Sequence, residues 1–330
     1  MRPAWVAGAV RAQLLARRRL GVAGAREVAA AGSVEAALQR LATSTYAHDL
    51  RSGMDLRQAR HALRATALWH LRVLAGWLAP KGAEGVRLLA GGHEIDNIEA
   101  RLIRLAVPEV PGHELPGTEA PGAELPGTES PGDEPAFQLG ALATAWPAVQ
   151  RAGSAVQVRE ALRASAWGDP GDGGVAELGA ALRLAWSGRL AEGLPPARRW
   201  ATAAAAVVVA RERFAHRRNL TPPALADARR LIGRAWEPAP TVALFAAALA
   251  PDCRWPLEGV GDSTDLWQAE SKWWRTVDRE AERLSARAGT GEEAVAAAGM
   301  LLLADAWRAG AALEAAGWGA AGVEVFDAVA

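Results

Sequence analysis

The residues best suited to chemistry lie in one short stretch, HEIDNIEARLIRL at 93–105, where acids, an asparagine and arginines alternate with regularly spaced apolar residues. A zinc-protease helix needs two histidines four positions apart, with a glutamate beside the first. His93 and Glu94 begin such a motif, but the position of the second histidine is taken by Asn97. The stretch therefore does not predict a zinc site.

A magnesium-dependent enzyme that acts on diphosphates is the main catalytic alternative for a helical chain, and it needs several convergent carboxylates. The nearest candidates are Asp169 and Asp172 in the turn GDPGDGG. Aspartates in such turns usually accept hydrogen bonds from their own backbone. The sequence contains no phosphate-binding glycine loop and no GxSxG nucleophile turn. We therefore predict no catalytic residue, no metal site and no cofactor.

Composition limits the class of protein. Half of the 330 residues are hydrophobic, which is enough for a sizeable core. The formal net charge is zero, so there is no overall attraction to nucleic acid or anionic lipid. A single cysteine, Cys253, excludes an internal disulfide and fits a reducing compartment such as the cytoplasm. The best apolar run, around 202–210, is too short to cross a bilayer, so we expect no membrane span.

The elements that must position any site are helices. Ala, Leu and Arg dominate, β-branched residues are sparse, and apolar residues recur at helical spacing, which together predict an all-α fold without a sheet. The spacing predicts a helix over 55–79 that stops at Pro80, and a second over 83–106. Further helices are predicted over 140–166, 175–191, 196–218, 223–235, 241–250, 263–288 and 291–316.

Residues 107–135 differ from the rest of the chain. They contain five copies of a pentapeptide PGxEx and hold seven acids but no Lys or Arg. Pro and Gly oppose regular structure and the acids repel one another, so we predict a disordered acidic linker. Without it, the chain has 37 basic and 30 acidic residues, a net charge of +7, so its body is mildly basic.

An internal repeat divides the remaining chain. The segment ALQRLATSTY ends at Tyr46 and aligns with REALRASAW, which ends at Trp167; a weaker third copy ends at Trp255. After each aromatic residue come a break and two long helices. Chance similarity between amphipathic helices is the alternative explanation. The repeat predicts three helical units, at 1–106, 136–236 and 237–330, with the acidic linker between the first two.

The stretch at 93–105 has two faces when it is drawn as a helix. The apolar face consists of Ile95, Ile98, Leu102 and Leu105. A polar stripe with the same spacing, displaced by about 100°, consists of Glu94, Asn97, Arg101 and Arg104. Polar stripes of this kind are often only a solvated helix face.

This polar stripe resembles the long-helix signature of the C (or d) subunit of V-type and A-type rotary ATPases, which is an acid, two residues, Asn, an aliphatic residue and then Arg. The segment ALQRLATSTYAHDL is likewise similar to the short helix of that family that ends in an aromatic residue. The length, the all-α class and the threefold repeat agree with the family over nearly the whole chain.

The resemblance implies a funnel of three similar helical units that sits on the membrane-embedded proteolipid ring and holds the rotor shaft. Such a subunit couples ATP hydrolysis to proton or sodium transport without an active site, a cofactor or a nucleotide of its own. Its partners would be the shaft subunits and the ring, not nucleic acid, and it would be cytoplasmic and peripheral to the membrane. The four residues of the polar stripe would then form an interface or packing signature.

The sequence also departs from the family pattern. The acidic linker looks like an insertion, and only the first unit carries the whole signature. The third unit keeps Asp305 and Arg308 but has no Asn, and the helix VVVARERFAHRR of the second unit loses both the acid and the Asn. Two other hypotheses therefore stay open: a soluble helical-repeat scaffold for an unrelated protein partner, and an all-α enzyme.

Overall fold

The computed structural model describes residues 3–106 and 134–329. All regular structure within these two ranges is helical, with no strand, which confirms the predicted all-α class. The predicted disordered linker over 107–135 lies outside the described residues, apart from Glu134 and Pro135.

Fifteen α-helices follow one another within the described ranges. They are α1 (Pro3–Arg17), α2 (Gly21–Ala29), α3 (Val34–Leu41), α4 (Leu56–Gly76), α5 (Pro80–Ala106), α6 (Trp146–Arg151), α7 (Ala155–Arg163), α8 (Val175–Gly193), α9 (Arg198–Ala210), α10 (Pro222–Ile232), α11 (Val242–Ala248), α12 (Pro251–Arg254), α13 (Leu266–Arg287), α14 (Glu292–Ala316) and α15 (Gly322–Val329). Short 3₁₀ turns lie at Gly140–Leu142, Pro195–Ala197, Trp255–Leu257, Ser263–Asp265 and Gly319–Ala321, and a π-helical turn at Arg211–Ala215.

Two predicted helices are interrupted in the structure. The single helix predicted over 140–166 is wrong: α6 ends at Arg151, and Ser154 takes an extended conformation from which its hydroxyl caps α7. The apolar spacing continues across this break, which is why the sequence suggested one helix. The helix predicted over 196–218 ends its α-helical part at Ala210 and continues as a π-helical turn.

Three pairs of long helices form the framework. Helices α4 and α5, α8 and α9, and α13 and α14 each pack against one another and are joined by short connections, as in helical hairpins. The three connections come together at one end. Lys81 Nζ lies 3.3 Å from Glu292 Oε1, and a methyl group placed on Gly85 would lie 3.3 Å from Leu194 Cδ1.

The buried residues form three hydrophobic clusters, and each of them crosses a predicted unit boundary. One cluster, for example, joins Leu63 of α4 to Leu313 of α14. Helix α14 is long and apolar enough to cross a membrane by length and composition, but 78% of its qualifying window is buried inside this fold. It packs against α1, α2, α4, α5, α13 and α15, so it serves as a core helix here.

Helix α5, which carries the polar stripe, is held closely by its neighbours. A Cβ on Gly91 would lie 2.6 Å from Cδ1 of Trp186, whose indole N–H donates to Leu88 O at 2.6 Å. A Cβ on Gly299 of α14 would lie 2.4 Å from Leu89 Cδ1. Glycine at these two positions lets α8 and α14 approach α5, so the register of the stripe is fixed from two sides.

Candidate functional site

The carboxylate of Glu94 is buried, with 1% of the residue exposed, and it joins α5 to the segment after the linker. Its Oε1 accepts the backbone N–H groups of Thr144, Ala145 and Trp146 at 2.8, 2.6 and 2.7 Å. Its Oε2 accepts the indole N–H of Trp167 at 3.2 Å. A buried carboxylate is stable here because both oxygens have donors, and because a negative charge at the start of α6 is favourable.

Asn97, one turn further along α5, makes a two-bond pair with the backbone of Phe137. Its Nδ2 donates to Phe137 O at 2.9 Å, and its Oδ1 accepts the Phe137 N–H at 2.7 Å. The Phe137 ring stacks on His61 at a centroid distance of 4.2 Å and meets the edge of His93 at 5.0 Å. Asn97 thus supplies hydrogen-bond partners to a buried backbone that lies outside any helix.

Arg101 lies two turns after Glu94 and acts at the opposite end of α6. Its Nη2 donates to Ala152 O at 2.5 Å, and Ala152 is the residue that caps the C-terminus of α6. The acid therefore meets the positive end of the α6 dipole and the arginine meets the negative end. Glu94 and Arg101 are spaced along α5 to hold a six-residue helix lengthwise.

The polar stripe is therefore not a solvated face in its first half, since Glu94 and Asn97 are 1% and 2% exposed. Arg101 is half-buried, and Arg104, in the last turn of α5, is exposed. The structure brings the first three residues together on one neighbouring segment, 137–152, and places Arg104 at the end of the helix.

Asp305 on α14 occupies a similar environment in another part of the molecule. It is 1% exposed, and its carboxylate accepts the backbone N–H groups of Leu20 at 2.9 Å and Gly21 at 2.7 Å, which open α2. The hydroxyl of Tyr46 donates to it at 2.8 Å. Burial raises the pKa of Asp305, and burial together with this carboxylate raises the pKa of Tyr46.

Glu94 and Asp305 thus perform the same two tasks. Each carboxylate caps the first N–H groups of a short helix, and each holds the aromatic residue that ends a second short segment, Trp167 or Tyr46. The sequence repeat aligns the two aromatic residues, but it does not indicate that each is paired with one of the two acids. The signal in the sequence is that Tyr46 and Trp167 each carry one polar hydrogen that needs an acceptor when the ring is buried.

A buried ion pair lies beside the second carboxylate. Arg308 Nη2 donates to Asp278 Oδ2 at 2.6 Å, and the two side chains are 3% and 5% exposed. Arg308 Nη1 is also 3.9 Å from Asp305 Oδ1. This pair links α13 to α14, and the sequence alone had indicated only Arg308.

The third aligned aromatic, Trp255, has no acid. It is 6% exposed, and its indole N–H finds no hydrogen-bond partner among the described residues. The guanidinium of Arg199, at the start of α9, lies over its ring at 4.9 Å from the centroid. By contrast, the neighbouring indole of Trp200 donates to Glu280 at 2.7 Å.

Chemically reactive groups near these contacts are few in the described ranges. No group of three or more His, Cys, Asp or Glu side chains there could hold a metal ion. Burial lowers the pKa of His93 to about 4, so this histidine is neutral at pH 7. Burial also raises the pKa of Cys253. The oxygens of Glu94 and Asp305 accept hydrogen bonds from separate segments of the chain and so join these segments.

Comparison of the sequence with models of known protein families finds no match, and comparison with curated proteins finds no significant match. Two observations therefore bear on function. One is the geometry of the two carboxylate contacts, and the other is the resemblance of the polar stripe to the rotary ATPase signature.

Proposed function

We propose that this chain is a non-catalytic central-stalk subunit of a V/A-type rotary ATPase, built from three related helical units around a pseudo-threefold axis. In this role it seats the rotor shaft and rests on the proteolipid ring. It transmits torque between ATP hydrolysis and the transport of protons or sodium, in the cytoplasm at the membrane surface.

The repeated carboxylate contact is the observation that carries the proposal. Glu94 lies on the second long helix of the first unit and holds Trp167 of the second unit, whereas Asp305 lies on the second long helix of the third unit and holds Tyr46 of the first. The contacts run in one direction around the chain, from the third unit to the first and from the first to the second. A cyclic arrangement of related units accounts for this order.

The contacts also suit a part that transmits torque. A socket between a shaft and a ring must resist shear between its units, and directional hydrogen bonds to a buried charge resist it better than apolar contact alone. The convergence of the three hairpin connections near Lys81 and Glu292 favours the same interpretation, because related units around one axis would bring equivalent turns together.

Affinity purification from native membranes tests the assignment. The chain carries a C-terminal tag and is recovered after gentle solubilisation, and the bound proteins are identified by mass spectrometry. We expect the ATP-hydrolysing subunits, the shaft subunits and the proteolipid of a rotary ATPase. A matched pair of tagged variants adds specificity: Glu84→Ala, at an exposed position on α5, should recover the same set, and Glu94→Ala should recover less of it.

Purification in the opposite direction, through the catalytic subunits of the ATPase, can disprove the assignment. If an intact rotary ATPase, isolated through its catalytic subunits, lacks this chain, the assignment is wrong. Recovery of an unrelated soluble partner in its place would favour the scaffold alternative.

A further inference from the structure

The end of α9 combines two backbone irregularities. The helix passes into the π-helical turn Arg211–Ala215, in which the N–H of His216 bonds to Arg211 O at 2.9 Å. Arg217 then takes a left-handed conformation with φ of 53°, the one positive φ among the described residues other than glycine. Both features are uncommon, and they concentrate at functional sites.

These irregularities place Arg217 at the wall of a cavity of about 400 Å³. The polar residues that line it come from three separate segments of the chain: Arg213 and Arg217, Thr241, and Asp262 and Ser263. Phe214 contributes an aromatic wall. The cavity is remote in sequence from Glu94 and from Asp305, and neither carboxylate lines it.

The two arginines of this cavity differ in whether their guanidinium groups already have hydrogen-bond partners. The Arg213 guanidinium donates to Ala239 O at 2.7 Å and to Trp236 O at 3.4 Å, and it lies 5.4 Å from the centroid of the Phe214 ring. Arg217 is exposed and makes no hydrogen bond or ion pair with the part of the chain that the structure describes. One cation is therefore fixed and the other is available to a ligand.

The other polar groups of the cavity do not cancel the positive charge of the two arginines. Asp262 Oδ1 already accepts the N–H of Thr264 at 3.0 Å and the hydroxyl of Ser263 at 3.2 Å. The hydroxyl oxygen of Thr241 accepts the N–H of Leu244 at 3.3 Å, which leaves its own hydrogen free to donate. Two guanidinium groups against one engaged carboxylate favour an anion with several acceptor oxygens.

We propose that this cavity binds the phosphate group of a small molecule, with Arg213 as the fixed donor and Arg217 as the donor that closes on the ligand. Phosphate has several oxygens, so it can accept two parallel hydrogen bonds from a guanidinium group, a geometry that a spherical chloride ion does not offer. The left-handed backbone at position 217 would suit glycine better than arginine. This site is independent of the proposed role in a rotary ATPase.

Titration with inorganic phosphate, followed by calorimetry or by phosphorus NMR, tests the site on the full chain. We expect binding in the range of about 1 mM, with acetate at equal ionic strength binding more weakly. Arg217→Gln should weaken phosphate binding at least ~10-fold. Arg40→Gln removes the same charge from an exposed position on α3 and should leave binding unchanged.

A second variant separates binding from folding. Arg217→Gly relieves the left-handed backbone, so we expect its melting temperature to rise by about 1–3 °C while phosphate binding is lost. The proposal is overturned if either Arg217 variant binds phosphate as tightly as the parent chain, if acetate binds equally well, or if the parent chain does not bind phosphate at tens of millimolar.

Discussion

The surroundings of Trp167 and of Trp255 show two solutions to one packing problem. Both indoles are buried, at 4% and 6% exposure, and both follow a short helix. Trp167 donates to Glu94, which also caps α6, whereas the indole N–H of Trp255 has no acceptor among the described residues and its ring packs under Arg199. The first contact is directional, and the second is apolar with a cation–π contribution.

This difference indicates where the fold is firmly joined and where it is weaker. A buried N–H without an acceptor loses about 1–3 kcal/mol relative to one that is paired. The contact of α9 with Trp255 should therefore open more readily than the contact of α5 with Trp167.

The largest expected effect comes from removal of the carboxylate of Glu94. Glu94→Ala leaves three backbone N–H groups and one indole N–H without their acceptor, so we expect a loss of about 4 kcal/mol in the free energy of unfolding. Urea denaturation measures it. Glu84→Ala, at an exposed site on the same helix, should change stability by less than about 0.5 kcal/mol. A similar small change for Glu94→Ala would show that the contact is not structural.

Acid should weaken the same region through His93, which precedes Glu94. Burial lowers the pKa of His93 from 6.5 to about 4 in the folded chain. Below pH 6.5 the unfolded chain binds a proton that the folded chain does not, so the stability present above that pH is lost as the pH falls toward 4. The loss is at most about 3 kcal/mol.

The variant His93→Gln should flatten this dependence, as measured by urea denaturation at several pH values between 4 and 7. His216→Gln, which changes an exposed histidine, is the control and should retain the slope of the parent chain. Equal slopes for the two variants would contradict the assignment to His93.

Substitution of Asp305 should also lower the free energy of unfolding, but by less than substitution of Glu94. Asp305→Asn keeps the size of the side chain but replaces one acceptor oxygen by an amide that faces the N–H groups of α2 or the hydroxyl of Tyr46. We expect a loss of about 2 kcal/mol. The control Asp327→Asn changes an exposed ion pair with Arg26, and a thermal melt that shifts equally for both variants would argue against a buried role for Asp305.

The smallest effect compares the two indoles directly. Trp167→Phe and Trp255→Phe remove the same atoms from two buried sites, so the loss of volume is common to both. Only the first change leaves Glu94 Oε2 without its donor, and we expect it to be more destabilising by about 1 kcal/mol. Equal losses would show that the indole hydrogen bond contributes nothing.

The features of the fold that the sequence predicts correctly are local ones. The all-α class and most helices follow from the composition and from the spacing of apolar residues. The break between α6 and α7 was missed because Ser154 interrupts the helix while the apolar spacing continues.

The sequence locates the candidate residues, but it does not predict which groups surround them in the fold. Spacing on one helix picks out Glu94 and Asn97, but a solvated face has the same spacing. The donors that bury Glu94 lie 50 to 73 residues away in the chain, and no local pattern encodes such pairing. The repeat supplied the missing hint, because it placed Tyr46 and Trp167 in equivalent positions.

An electron cryomicroscopy map of the rotary ATPase, purified from native membranes through its catalytic subunits, tests the central proposal most directly. We predict that the helical density between the shaft and the proteolipid ring fits this chain, with Glu94 against Trp167 and Asp305 against Tyr46. A complete complex whose density at that position belongs to a different polypeptide would contradict the proposal.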